Sequence, residues 1–218
     1  MAAPGPWAVT VVPLSLVLIV AGVASAFCWI ASLVTKDTSW VDRLWSIVPA
    51  IYVWIFAIDA VVVGRPDARL FLMAVLVTLW AARLTFNFAR KGGYTGMEDY
   101  RWAILRGRMK PWQFQVFNLL FIVLYQNALL VLITLPAYVA WQHSAGLTGW
   151  DAAFAVLFVG FLVGETVADQ QQWDFHRAKR AHRADGFLTA GLFRYSRHPN
   201  FFFEQAQWWA FYGLGAAA

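Results

Sequence analysis

A single cysteine, Cys28, occurs in this chain, and it lies inside an apolar run. A disulfide framework and a cysteine-based metal centre are both excluded. Charge is equally scarce: 13% of the 218 residues are Asp, Glu, Lys or Arg, about half the share of an average soluble domain. No G-x-G-x-x-G run occurs, and no alternation of strand and helix patterns, so a Rossmann-type nucleotide site is excluded. No repeat, low-complexity tract or linker breaks the chain, and one helical domain over residues 1–218 is expected. What is abundant is apolar: 61% of the residues are hydrophobic, the composition of an integral membrane protein. Thirteen Trp and seven Tyr suit the two lipid interfaces, where amphipathic rings gather. The net charge of +5 then needs no nucleic acid to explain it.

Six apolar segments are long enough to cross a bilayer core of about 30 Å. They run near 7–34, 44–63, 70–88, 113–140, 152–168 and 201–215. The expected fold is therefore an all-α, polytopic membrane bundle of about six spans. The first segment has no Lys or Arg before Trp7 and is too long for a signal peptide, so an uncleaved span is expected. Fourteen of the 17 basic residues fall in the connections after spans one, three and five. Positive-inside logic puts those connections in the cytoplasm and the N-terminus outside.

The polar residues concentrate in a few places, above all Gly191 to Glu204, which reads GLFRYSRHPNFFFE. Pro199 suits the first turn of a helix, so the last span is predicted to begin near His198. Arg194 and Arg197 stand just before that N-terminus, where backbone N–H groups and two guanidiniums would suit a phosphate. Such arginines also serve as topology signals and headgroup anchors, and both readings stay open. Asn200, Glu204 and Gln207 share one helical face. In span five, Glu165, Asp169, Gln172 and His176 are spaced 4, 3 and 4, again one face. Two carboxylates one turn apart repel unless a cation, a donor or a proton intervenes. A polar helix end in water would explain Gln172 and His176, but it explains Glu165 poorly, after thirteen apolar or small residues.

Weaker signals lie earlier. Asp42 precedes span two, where first-turn capping is the ordinary role, and Trp45 follows it. Glu98, Asp99 and Arg101 could be a local loop cluster of small energetic weight. In span four, Gln115, Asn118 and Gln126 are predicted to form one stripe, of the kind that joins helices in membranes.

The GLFRYSRHPNFFFE run resembles the C-terminal motif of the steroid 5-alpha-reductase-like membrane proteins, including a bacterial branch catalogued as a family of unknown function, of the DUF1295 type. Three other pieces are similar to that family: Leu79-Trp80-Ala81-Ala82-Arg83-Leu84, Glu98-Asp99-Tyr100-Arg101, and the Glu165-x-x-x-Asp169-x-Gln171 pattern. The resemblance begins near Trp40. It implies an NADPH-dependent reduction of a conjugated or ring carbon–carbon double bond, in a cytoplasm-facing cavity of a multi-pass protein of the bacterial inner membrane. It implies cofactor contacts at Asp169, Arg194, Tyr195, Asn200 and Glu204, and Glu165, Arg177, Arg197 and His198 complete the candidate cofactor-binding set. Tyr195 and Glu204 are the candidate catalytic residues, an apolar lipid or steroid-like molecule is the expected substrate, and no metal is expected. Two departures stand out: Trp80 falls where the steroid reductases carry a Tyr, and the chain ends soon after span six, where the family continues with further segments. The Arg-His-Pro element is also similar to that of isoprenylcysteine and phospholipid methyltransferases, so S-adenosylmethionine is the alternative cofactor. A non-catalytic lipid-binding relative is the third reading.

Overall fold

The structure, a computed structural model, describes residues 12–96 and 98–218. Among the described residues every regular element is helical. In order they are α1 (Val12–Thr35), α2 (Trp40–Leu44), α3 (Val48–Val62), α4 (Ala68–Arg90), α5 (Tyr100–Arg108), α6 (Pro111–Phe117), a π-helical segment (Asn118–Tyr125), α7 (Gln126–Gln142), α8 (Gly149–Arg180), a 3₁₀ turn (Gly191–Arg194) and α9 (Pro199–Ala216). The chain is a polytopic membrane helical bundle. Four helices are long and apolar enough to cross a bilayer: Pro13–Thr35, Ala68–Arg90, Pro111–Gln142 and Gly149–Arg180. The second expected span is shorter, with 15 helical residues at Val48–Val62, because α2 and a turn take up its predicted beginning. The sixth has 18 residues. The predicted start of the first span, at Trp7, lies outside the described residues.

The helices cluster into two compact units, one reaching to Gly146 and the other running from Leu147 to Ala217. In the first, α3, α4 and α7 pack together, with α1 against α3 and α7. Tyr52, Phe56, Met73 and Val77 are fully buried there. Helix α4 starts where Asp67 accepts hydrogen bonds from the backbone N–H groups of Arg69 and Leu70, at 2.7 and 3.4 Å, the usual service of an N-cap Asp.

The π-helical segment corrects one expectation. Its wider turn shifts the phase between Asn118, which is buried, and Gln126, which is intermediate, and Gln115, ahead of the segment, is exposed. The three do not form one stripe. Asn118 alone joins helices, donating from Nδ2 to Ser32 Oγ of α1 at 2.9 Å.

The second unit is a hairpin of α8 and α9. At 1.5 Å per residue, the 32 residues of α8 span about 48 Å, well beyond the hydrocarbon core. Its polar C-terminal portion therefore projects from the membrane, ending in Arg177, Lys179 and Arg180, cations that suit the carbonyl end of a helix. At the other end, Asp151 accepts from both the backbone N–H and the hydroxyl of Thr148, at 2.7 and 2.9 Å. Glycines allow the hairpin to close. A Cβ on Gly164 would fall 2.7 Å from the Phe203 ring, and one on Gly213 would fall 2.5 Å from Phe154.

Candidate functional site

The hairpin brings together the two polar faces read from the sequence. Glu165 and Asp169 on α8 are 2% and 4% exposed. Their relief comes from amides on α9: Gln207 Nε2 donates to Glu165 Oε2 at 2.6 Å, and Asn200 Nδ2 donates to Asp169 Oδ1 at 3.4 Å. Gln207 is itself fully buried. Its Nε2 also donates to the Phe203 carbonyl at 3.2 Å, while its Oε1 is buried without a partner. An unmatched acceptor at that depth is a cost, offset only where the donor half of the amide serves another buried group. Here it serves Glu165.

Helix α9 starts at Pro199 with His198 as its N-cap, as the fixed φ of proline predicts. Before it, the 3₁₀ turn is tied back onto α8, where Leu192 N donates to Gln171 Oε1 at 2.9 Å. Gly191 makes that approach possible. Its φ is +61°, and a Cβ there would lie 2.5 Å from the Gln171 amide. Beside the turn opens a cavity of about 620 Å³, lined by Gln172, His176, Lys179, Phe193, Arg197 and His198 among others. Lys179 Nζ donates across it to the Gly186 carbonyl at 3.1 Å.

Against the predicted set, the structure pairs the buried Asp169 with the half-buried Asn200, pairs the buried Glu165 with Gln207, and places Arg197 and His198 on the cavity wall, which Glu165, Asp169 and Asn200 do not line. Arg177 and Arg194 are exposed and Glu204 is half-buried, none of them on that wall. Tyr195 is 84% exposed on the loop. Gln207 was legible as a third polar residue on the Asn200–Glu204 face, but its pairing with Glu165, 42 residues away, required the hairpin. Gln172 and His176 line the cavity, with His176 exposed as a solvated helix end has it.

A second cluster lies in the first unit. Glu98 Oε1 accepts from Thr38 N and Oγ1, at 3.0 and 2.8 Å, and from Arg106 at 2.6 Å. Glu98 thus ties the third connection to the first, which a local loop cluster would not do. Burial pushes its carboxyl upward, but the hydrogen bonds from Arg106 and Thr38 outweigh that and hold it below the usual range. Asp99 is held low chiefly by its hydrogen bonds from Arg101. Asp42 behaves oppositely: burial, then the negative charge of Asp99, pushes its pKa up to about 6, with Trp102, Arg101 and Ser39 offsetting part of the rise. The Trp102 indole N–H is near enough to favour the charged form, yet meets no acceptor at full hydrogen-bond geometry. Trp80, at the departure from the steroid reductases, is 1% exposed.

Comparison with known proteins places this geometry in context. A family model described as a protein of unknown function, DUF1295, matches residues 28–218. An uncharacterized protein of Schizosaccharomyces pombe is 40% identical over 209 residues, covering 87% of this chain and 61% of that protein. The chain thus spans about three-fifths of the length of this relative, and the likeness is not confined to bacteria. No solved structure matches.

Proposed function

This chain belongs to the DUF1295 family, the steroid 5-alpha-reductase-like group, and on that premise we propose that it is a membrane-embedded NAD(P)H-dependent reductase. The substrate is a carbon–carbon double bond in an apolar enone, steroid-like or isoprenoid lipid. The observation that carries this reading is the buried Asp169, met by the half-buried Asn200 amide, in the same hairpin as a cavity lined by Lys179 and Arg197. Bare carboxylates are costly at membrane depth. A buried carboxylate met by an amide, in the same hairpin as a cavity lined by Lys179, Arg197 and His198, is better explained by a ligand that reaches both than by helix association alone.

The residues fit a dinucleotide in two respects. The Asn200 side chain both donates and accepts, which matches a carboxamide, and it is half-buried. Arg194 and Arg197 are exposed beside the N-terminus of α9, which suits phosphate oxygens. When bound, the cofactor supplies the hydride. The chain's part is to orient it and to deliver a proton to the carbon left anionic, for which the Tyr195 hydroxyl is the nearest acid in sequence to the phosphate-binding arginines. We place this face on the cytoplasmic side, with the cationic connections.

The test is titration of NADPH against the purified protein, extended to its natural C-terminus, in detergent. Micromolar binding is expected, and Asn200→Leu should weaken it by about 1 to 3 kcal/mol, because Asp169 and the ligand amide both lose a partner. Arg197→Ala should weaken it and make the remainder less sensitive to salt. Unchanged binding in folded Asn200→Leu protein would refute the placement. S-adenosylmethionine binding in place of NADPH would make the chain a methyltransferase, and binding of neither would leave a non-catalytic relative.

A further inference from the structure

The N-terminal unit contains a separate cavity of about 850 Å³. Its wall carries three carboxylates, Asp42, Glu98 and Asp99, one guanidinium, Arg101, and aromatic side chains that include Trp45, Trp102 and Tyr125. Part of that wall is the π-helical segment Asn118–Tyr125, an irregularity that costs helix geometry and recurs at functional sites. Phe121 and Tyr125 stack within it at 5.3 Å between ring centroids.

Charge accounting around the cavity singles out Asp42. Arg43 pairs with Asp37 at 2.5 Å, Arg101 with Asp99 at 2.6 Å, and Arg106 with Glu98 at 2.6 Å. Each of those carboxylates has its own guanidinium. Asp42 has no such guanidinium of its own: Arg101 acts on it only alongside its bonds to Asp99, and Trp102 and Ser39 offset part of its cost. The charged and titratable groups that act on it are Asp99 and Arg101, with Cys28 of α1 also electrostatically coupled to it. Arg101 is committed to Asp99 through both Nε and Nη2. A carboxylate with no guanidinium of its own, in a cavity with two further carboxylates and walled by aromatic faces, is the arrangement that receives an organic cation: the charge finds a counter-ion and the rings supply cation–π attraction.

We propose that this cavity binds the ammonium head of a cationic amphiphile, with Asp42 as its counter-ion and the aromatic wall around the head and upper chain. The apolar remainder lies along Leu84, Phe121 and Leu129, which line the same cavity. A neutral alcohol or ketone would leave the Asp42 charge unmatched. A sulfate or phosphate head would be repelled by it. This site does not depend on the reductase reading.

The experiment uses the full chain in lipid nanodiscs and decyltrimethylammonium below its micelle-forming concentration, with decanol and decyl sulfate as same-chain controls. Equilibrium dialysis against empty nanodiscs reads the bound amount. At pH 8 the ammonium should occupy one saturable site per chain, at least about ten-fold tighter than decanol, with decyl sulfate no better than empty discs. Asp42→Asn should lower the affinity about ten-fold or more, Asp42→Glu should retain most of it, and the exposed Asp185→Asn should change nothing. Because the quaternary head does not titrate, a fall of about ten-fold between pH 8 and pH 5 would report protonation of Asp42 itself. Circular dichroism confirms that each variant is folded. Equal affinity in Asp42→Asn, decanol binding as tightly as the ammonium, or uptake no greater than that of empty discs would each overturn the proposal.

Discussion

The Glu165–Gln207 pair offers a direct measure of how much the hairpin depends on buried polarity. Glu165 is 2% exposed, Gln207 is 0%, and 2.6 Å separates the donor from the carboxylate. A hydrogen bond to an ionised acceptor contributes about 1.5 to 3 kcal/mol in soluble proteins, whereas side-chain bonds between membrane helices average about 0.6 kcal/mol. Gln207→Leu deletes the donor and leaves Glu165 short of a partner, and a loss of about 1 to 3 kcal/mol is expected. Glu165→Leu leaves the Gln207 amide, whose Oε1 is already unmatched, with only the Phe203 carbonyl, at similar cost. The double variant removes both polar groups, so its loss should be smaller than the sum of the two singles, since paired apolar replacements often come close to neutral. Unfolding by sodium dodecyl sulfate in mixed micelles, followed by far-ultraviolet circular dichroism, gives the four free energies of the cycle. Strict additivity, with a coupling energy indistinguishable from zero, would show that the pair is incidental to a hairpin held by Phe154, Phe161 and Phe203 packing.

Two further outcomes follow from other positions. Asp42 has a folded pKa raised from 3.8 to about 6, so the stability favouring its protonated form is fully present below 3.8 and lost as the pH rises through 6. Asp42→Asn should therefore exceed the wild type in stability at pH 7 by about 1 to 3 kcal/mol and lose that advantage near pH 4, as read from thermal melting in detergent at each pH. An advantage that did not vary with pH would contradict the burial account. Gly213→Ala places a methyl group 2.5 Å from the Phe154 ring and should cost about 1 to 3 kcal/mol by overpacking. Adding Phe154→Leu should recover part of the loss in the same melting assay, and no recovery would mean that α9 moves instead of the ring.

Class and element order were determined by composition and period alone, because lipid admits few solutions. A chain this apolar must satisfy its backbone within helices, and the positions of α4, α8 and α9 followed within a few residues, except where α8 runs on past the membrane. The start of α9 at Pro199 was equally local, since a fixed φ and a missing N–H act on their own residue. Polar faces were legible for the same reason: 165, 169 and 200, 204, 207 follow helical spacing. What spacing cannot express is which faces meet. Only the hairpin decided that Glu165 faces Gln207, 42 residues on, and that Asp169 faces Asn200, 31 residues on. Gly164, Gly191 and Gly213 permit that closure, yet nothing in their sequence neighbours identifies them as contact points. The π-helical segment was likewise hidden, because no propensity separates an α turn from a π turn in Asn118–Tyr125. Asp42 shows the limit most clearly. In sequence it reads as a first-turn Asp beside an arginine, but the fold gives Arg43 to Asp37 and Arg101 to Asp99, which leaves Asp42 without a guanidinium of its own on a cavity wall.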